Sequence, residues 1–173
     1  MPAPDNPARF LIERLSAQHD RAGFSCGVPS LDAYLHKQAG QDARKPAAAV
    51  FVASPNRRTI AGYCTLSQFA VRFDSVPPAV AQRLPKYPMV PATLLGRLAV
   101  AQSFRGERLG EFLLMDALHR SLALSEEIAS VGVVVDAIDE SAVAFYRHYG
   151  FFELLAGDRP LFFPMGTIAQ LFS

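Results

Sequence analysis

Between Phe104 and Leu114 the chain reads FRGERLGEFLL, directly after the apolar run Leu94 to Val100. This pattern predicts a strand that turns into a helix through a loop of bare main chain. The first N–H groups of a helix have no acceptor within it and lie at the positive end of its dipole, so they suit a diphosphate better than a neutral ligand. Gly106 and Gly110 lack a Cβ, which opens the loop's dihedrals and lets a ligand come close to the backbone. Arg105 and Arg108 flank the loop and are candidates for charge-assisted contacts to phosphate oxygens. Glycines before a helix also serve simply as turn and packing residues. Neither common nucleotide loop is present: no Lys-Ser or Lys-Thr follows Gly110, and the three glycines of a dinucleotide fingerprint are missing.

About thirty residues downstream the chain reads DESAVAFYRHYGF, from Asp139 to Phe151. Ala142, Phe145, Tyr146 and Tyr149 recur at helical spacing and share one face, and Gly150 stands where a helix takes its C-terminal cap. Core packing is the preferred reading for Phe145 and Tyr149.

The loop follows the pattern Arg-Gly-x-Gly-x-Gly with Arg108 in place of the middle glycine, and Phe145, Tyr146, Gly150 and Phe151 follow a second pattern of Phe-Tyr, three residues, Gly-Phe. Together they resemble the GNAT N-acetyltransferase superfamily. The segments GFSCGVPSLDAYLHKQAGQD, from Gly23 to Asp42, and LGRLAV, from Leu95 to Val100, further resemble its toxin-type subfamily. Members of that group belong to toxin–antitoxin pairs and acetylate the amino group of aminoacyl-tRNA. The resemblance covers nearly the whole chain.

It implies acetyl-coenzyme A as cosubstrate, no metal, and direct transfer in a ternary complex without an acyl-enzyme. The backbone of Leu98, Ala99 and Val100 would pair with the pantetheine arm. The amides of Arg105, Gly106, Glu107, Arg108, Leu109, Gly110 and Glu111 would hold the diphosphate, and Tyr146 would be the general acid. Aminoacyl-tRNA as acceptor, a ribbon-helix-helix antitoxin and a homodimer are further implications. Two departures stand against the pattern: Asp139 replaces the asparagine of many members, and Arg108 replaces a glycine. An acetyltransferase of a small amine or of a protein amino group, without a toxin role, is the alternative enzyme. A coenzyme A-binding or interaction module is the non-enzymatic one.

These motifs need a scaffold, and 173 residues, half of them apolar, are enough for one well-buried domain spanning residues 1–173. No Gly/Ser-rich linker divides the chain. No long uncharged apolar run appears, and MPAPDNPARF lacks the layout of a signal peptide, so a soluble cytoplasmic protein is expected. Cys26 and Cys64 are expected to be reduced. The net charge of +1 hides a division: from His36 to Arg108, eleven Lys or Arg stand against Asp42, Asp74 and Glu107, which is +8, leaving −7 for the remainder. A basic segment gathered on one face would attract a polyanion, the 3′-phosphate of coenzyme A or nucleic acid.

Read for elements, Arg9 to Leu15 is a strand, and Ser30 caps a helix with Leu31, Tyr34, Leu35 and Ala39 on one face. Ala47 to Ala53 and Thr59 to Phe73 are strands joined by the turn Ser54-Pro55-Asn56. Pro77, Pro78, Pro85, Pro88 and Pro91 permit only a short helix around Ala79 to Leu84 and put this region outside the sheet. A strand to Val100 follows, then a helix from Glu107 to Leu124 and the strand Ala129 to Val135. The Tyr146 helix and strands at Phe151 to Leu155 and Pro160 to Phe163 complete the chain. The order β-α-β-β-α-β-α-β-β argues for a mixed, mostly antiparallel α/β sandwich with helices flanking a central sheet.

Overall fold

A computed structural model describes residues 9–155 and 160–173. Most of the N-terminal stretch inspected for a signal layout therefore lies outside the described residues. The strands are β1 (Leu11–Arg14), β2 (Ala49–Ser54), β3 (Gly62–Arg72), β4 (Met89–Val100), β5 (Gly132–Asp136), β6 (Phe152–Glu153) and β7 (Pro160–Pro164). They form one seven-stranded sheet in the order β1-β2-β3-β4-β5-β7-β6. The pairs β1–β2, β2–β3, β5–β7 and β6–β7 are antiparallel, whereas β4–β5 is parallel, from Thr93↔Val133 to Leu95↔Val135. A parallel pair needs a long crossover, and α4 (Leu109–Leu124) supplies it. The remaining helices are α1 (Pro29–Ala33), α2 (Ala39–Arg44), α3 (Pro78–Ala81), α5 (Glu140–His148) and α6 (Met165–Leu171). The expected mixed α/β architecture is present; the order written from the sequence has six strands where the sheet has seven, and it also lacks α6.

The chain forms two compact units. One holds residues up to Ser67 together with Arg97–Ala117, the other Gln68–Gly96 together with Leu118–Ser173. The core of the first is built from Phe24, Leu31, Tyr34, Leu35, Val50, Val52, Ile60, Tyr63 and Ala99. The face predicted from Leu31, Tyr34, Leu35 and Ala39 is indeed buried. The helix that carries it departs from expectation. Pro29 occupies its first turn and Val28 its N-cap position, so Ser30 does not cap it. From Tyr34 to Gln38 the turns widen into a π-helix before α2 resumes. In β3, Gly62 leaves room for α4: a Cβ there would stand 2.8 Å from Leu113 Cδ1 and 2.9 Å from the Ala99 carbonyl oxygen. The seat of α4, and with it the position of the loop before it, depends on that gap.

The core of the second unit comprises Val71, Val76, Val90, Ala92, Val134, Leu154 and Phe162. Here the proline-rich passage forms only the turn Phe73–Ser75 and the four-residue α3, as expected. Pro91 is a correction, because it lies within β4 rather than outside the sheet. It precedes the pairing with β5, where a missing N–H is tolerated, and its carbonyl accepts from the Val131 N–H at 2.8 Å. α5 begins at Asp139, whose side chain accepts from the Ala142 N–H at 2.8 Å. It ends before Gly150, at φ 113, the expected glycine stop. Its buried face is Val143 and Tyr146, while Phe145 and Tyr149 are only half-buried, so the predicted core pair sits at the border of the core.

In β5, a Cβ on Gly132 would stand 2.5 Å from Phe162 Cε2, whereas at Gly166 in α6 it would meet nothing within 4 Å. Gly132→Ala should therefore cost about 1–3 kcal/mol through overpacking. Gly166→Ala should gain about 0.4–1 kcal/mol through the unfolded state. Urea unfolding of both variants checks the opposite signs.

Candidate active site

β4 delivers the chain to Val100, the Ala101 N–H donates to the Ala61 carbonyl at 2.8 Å, and one 3₁₀ turn, Gln102–Phe104, follows. Then the backbone reverses its hand: Arg105 is extended, Gly106 has φ 84 and Arg108 φ 58. The Phe112 N–H donates to the Arg108 carbonyl at 3.1 Å and closes the first turn of α4, so the amides of Leu109, Gly110 and Glu111 precede any carbonyl one turn back. A Cβ at Gly106 would meet nothing within 4 Å, so glycine is needed there for the sign of φ, and the space beside it is open. Open main chain at the positive end of a sixteen-residue helix fits a diphosphate. The helix itself is fixed by Leu109, Leu113, Leu114, Ala117, Leu118 and Ser121, all buried. It starts at Leu109, two residues after the predicted Glu107, because Arg108 is left-handed.

The two arginines beside the loop are engaged within the protein. Arg105 Nη2 donates to the Cys26 carbonyl at 2.6 Å. Arg108 donates through Nε at 2.8 Å and Nη2 at 2.6 Å to Glu111 Oε2. Glu107 is ion-paired with Arg9, and the Arg9 guanidinium lies 5.8 Å from the Phe104 ring centre. The side chains read as phosphate ligands thus shape the loop, and the donors left to face a ligand are mainly backbone.

The segment Gly23 to Asp42 braces this loop, a role its sequence did not disclose. The Gln102 N–H donates to the Ser25 carbonyl at 2.8 Å. Gly27, at φ 87, lies so close to the loop that a Cβ would stand 2.7 Å from Gln102 Nε2 and 3.1 Å from Arg105 Nη2. Asp32 Oδ1 accepts from the Cys26 N–H at 2.8 Å and fixes the turn from the other side. Burial, reinforced by Asp32, pushes the Cys26 thiol above its ordinary pKa. Cys26 and Cys64 are both buried thiols rather than a disulfide, as expected.

At the end of β4, the Arg97 guanidinium lies 3.6 Å from the ring centre of Tyr34, and the Tyr34 ring stacks on Tyr63 at 6.2 Å. The Tyr34 hydroxyl donates to Asp42 Oδ2 at 2.8 Å and that of Tyr63 to the Leu31 carbonyl at 2.7 Å. Burial raises both phenols well above their usual pKa. Gln38 and Tyr34 donate to Asp42 and hold its carboxyl below the ordinary value. Leu98, Ala99 and Val100 follow Arg97 directly, past the last β4–β5 pair at Leu95.

In the second unit, Tyr146 is 7 % exposed, with its ring edge-on to Phe145 at 5.2 Å and Phe151 at 5.3 Å. His36 bonds through Nε2 to the Phe24 carbonyl at 2.8 Å. His119 and His148 pack on Phe172 and Tyr149. Among the described residues, no group of three or more His, Cys, Asp or Glu could hold a metal ion.

Residues 12–151 match the acetyltransferase (GNAT) family. The chain belongs to it. This acetyltransferase is 35% identical over 138 residues to the tRNA-acetylating toxin of Mycobacterium tuberculosis, covering 80% of this chain and 81% of that protein. It is similar to the structure of AtaT complexed with acetyl-methionyl-tRNAfMet, with a TM-score of 0.88 and 28% identity over 95% of this chain and 99% of that one. It is also similar to a tyrosine-to-phenylalanine mutant of AtaT bound to the C-terminus of the antitoxin AtaR and acetyl-CoA. There the TM-score is 0.82 at 26% identity, again over 95% and 99%.

The Tyr34–Asp42 bond gives the acetyltransferase a pH-dependent contribution. Because the folded-state pKa of Asp42 is lowered, that contribution is present above its unfolded value near 4 and is lost as pH falls through the folded value. Tyr34→Phe should therefore destabilise the protein more at pH 7 than at pH 3. Denaturant midpoints of both proteins at the two pH values test this, and an equal loss at both would remove Asp42 from the account.

Proposed function

We propose that this protein acetylates the amino group of aminoacyl-tRNA with acetyl-coenzyme A, as the toxin of a toxin–antitoxin pair, and that the whole chain acts as one acyltransferase domain. The observation that carries the reading is the left-handed pair Gly106 and Arg108 opening α4, in a chain that belongs to the acetyltransferase family. The acetyltransferase of Mycobacterium tuberculosis and the AtaT complexes support the acceptor and the partner.

Acetyl-coenzyme A supplies an activated acyl group as a thioester. The amides from Arg105 to Glu111 hold its diphosphate, and the backbone of Leu98, Ala99 and Val100 aligns the pantetheine arm as an added strand would. Tyr146 donates its phenolic proton to the departing thiolate. Deprotonation of the acceptor needs no dedicated base, since an α-amino group has a pKa of about 8 and is partly neutral near pH 7. Of the eleven basic residues between His36 and Arg108, Arg72, Arg83 and Lys86 fall in the second unit and the rest in the first. There Lys37, Arg44, Lys45, Arg57 and Arg58 are exposed and available to RNA phosphates.

The same reading makes the protein a cytoplasmic homodimer restrained by an antitoxin of the ribbon-helix-helix type. No helix among the described residues is long and apolar enough to cross a membrane.

Tyr146→Phe should leave acetyl-coenzyme A affinity nearly unchanged and slow transfer by roughly 10²-fold or more. Calorimetry and single-turnover acetylation separate the two, and unaltered turnover removes Tyr146 from the mechanism. For the acceptor, aminoacyl-tRNA from bacteria expressing the protein should gain one acetyl mass. Unmodified tRNA together with normal growth would favour the small-amine enzyme.

A further inference from the structure

Arg108 stands where the family pattern has glycine, and its backbone takes the left-handed conformation that glycine adopts easily and other residues rarely do. Its side chain turns onto α4 and places two N–H groups on one oxygen of Glu111, three residues on. Glu111 is 6 % exposed, so the fold buries a carboxylate in the first turn of α4, among amides that have no acceptor within the helix. A carboxylate there draws on the same positive helix end that an incoming diphosphate needs, and it repels that diphosphate. Short, charge-assisted bonds from a guanidinium cancel that charge locally.

We propose that Arg108 is a positioning residue that neutralises Glu111 and thereby admits the diphosphate, and that it is not itself a phosphate ligand. This rests on the acetyl-coenzyme A reading given above. The arginine and the acid form one unit: the loop accepts an unfavourable backbone angle so that a cation can reach the buried acid. Glycine at 108 eases the backbone and leaves the carboxylate uncompensated, so the two substitutions should compensate each other.

The test is the calorimetric affinity of coenzyme A for wild type, Arg108→Gly, Glu111→Gln and the double variant, with acetyl-pantetheine, which lacks the diphosphate, as control. Arg108→Gly suits the backbone, which keeps the fold intact, and should weaken coenzyme A binding about tenfold or more, the scale of one uncompensated nearby charge. Glu111→Gln should bind coenzyme A more tightly than wild type, since it removes the repelling charge and keeps the arginine, and the double variant should recover most of the affinity lost in Arg108→Gly, because amide and carboxylate share shape but not charge. Acetyl-pantetheine binding should change in none of them. A double variant as weak as Arg108→Gly would make the arginine a direct ligand and overturn the proposal, as would unimpaired binding by Arg108→Gly. Absence of coenzyme A affinity in the wild type would instead strike the acetyltransferase reading itself, and the proposal with it.

Discussion

Everything at the candidate site depends on the hand of the backbone between Arg105 and Leu109. Left-handed angles at Gly106 and Arg108 turn the chain from the end of β4 into α4 within a few residues. The helix thus starts with bare amides beside open space. Such angles are uncommon outside glycine, so other contacts must hold them. Arg105 on the Cys26 carbonyl, Glu107 on Arg9 and Arg108 on Glu111 are those contacts, one for each turn of direction. The loop is charged in sequence and nearly all of that charge is consumed in holding its shape. What remains for a ligand is the field of the main chain, which does not depend on side-chain rotamers.

Positioning of the loop follows from small residues at two points of the first unit. Gly62 in β3 lets Leu109 and Leu113 settle on the strand, and Gly27 lets the preceding turn lie against Gln102 and Arg105. Both are places where one methyl group would push α4 or the loop outward. The stack of Arg97, Tyr34 and Tyr63 ties the end of β4 to the π-helical segment in the same unit. A widened helical turn at Tyr34, whose ring is held by Arg97 and Tyr63 and whose hydroxyl bonds to Asp42, is the kind of irregularity that tertiary packing imposes and local propensity resists.

Much of this was legible in the sequence. The strand stretches β2, β3 and β5 stand out as apolar runs, β2 and β5 being buried almost throughout, and helical spacing marks α5. The glycine stop at Gly150 and the short helix in the proline-rich passage followed from backbone sterics alone. The N-cap was misplaced at Ser30 because Pro29 fits the first helical turn better than serine fits the cap. Pro91 has the residue type of a breaker, yet it stands in β4 ahead of the first residue registered with β5. α6 escaped notice because MGTIAQL is short and begins at a proline that also ends β7. At the site, the loop and its glycines were visible. The partners of Arg105 and Arg108 were not, since a contact between Arg105 and Cys26 spans 79 positions and leaves no local mark.

That separation has a consequence for how the protein comes into being. α4 can form from neighbouring residues, whereas its brace requires two segments 77 to 79 positions apart to meet first. Contacts of that range carry the entropy of closing a long stretch of chain and tend to appear late. During folding the helix is therefore expected to appear before the braced turn that aims its first residues. Partly folded copies are expected to lack the shaped loop.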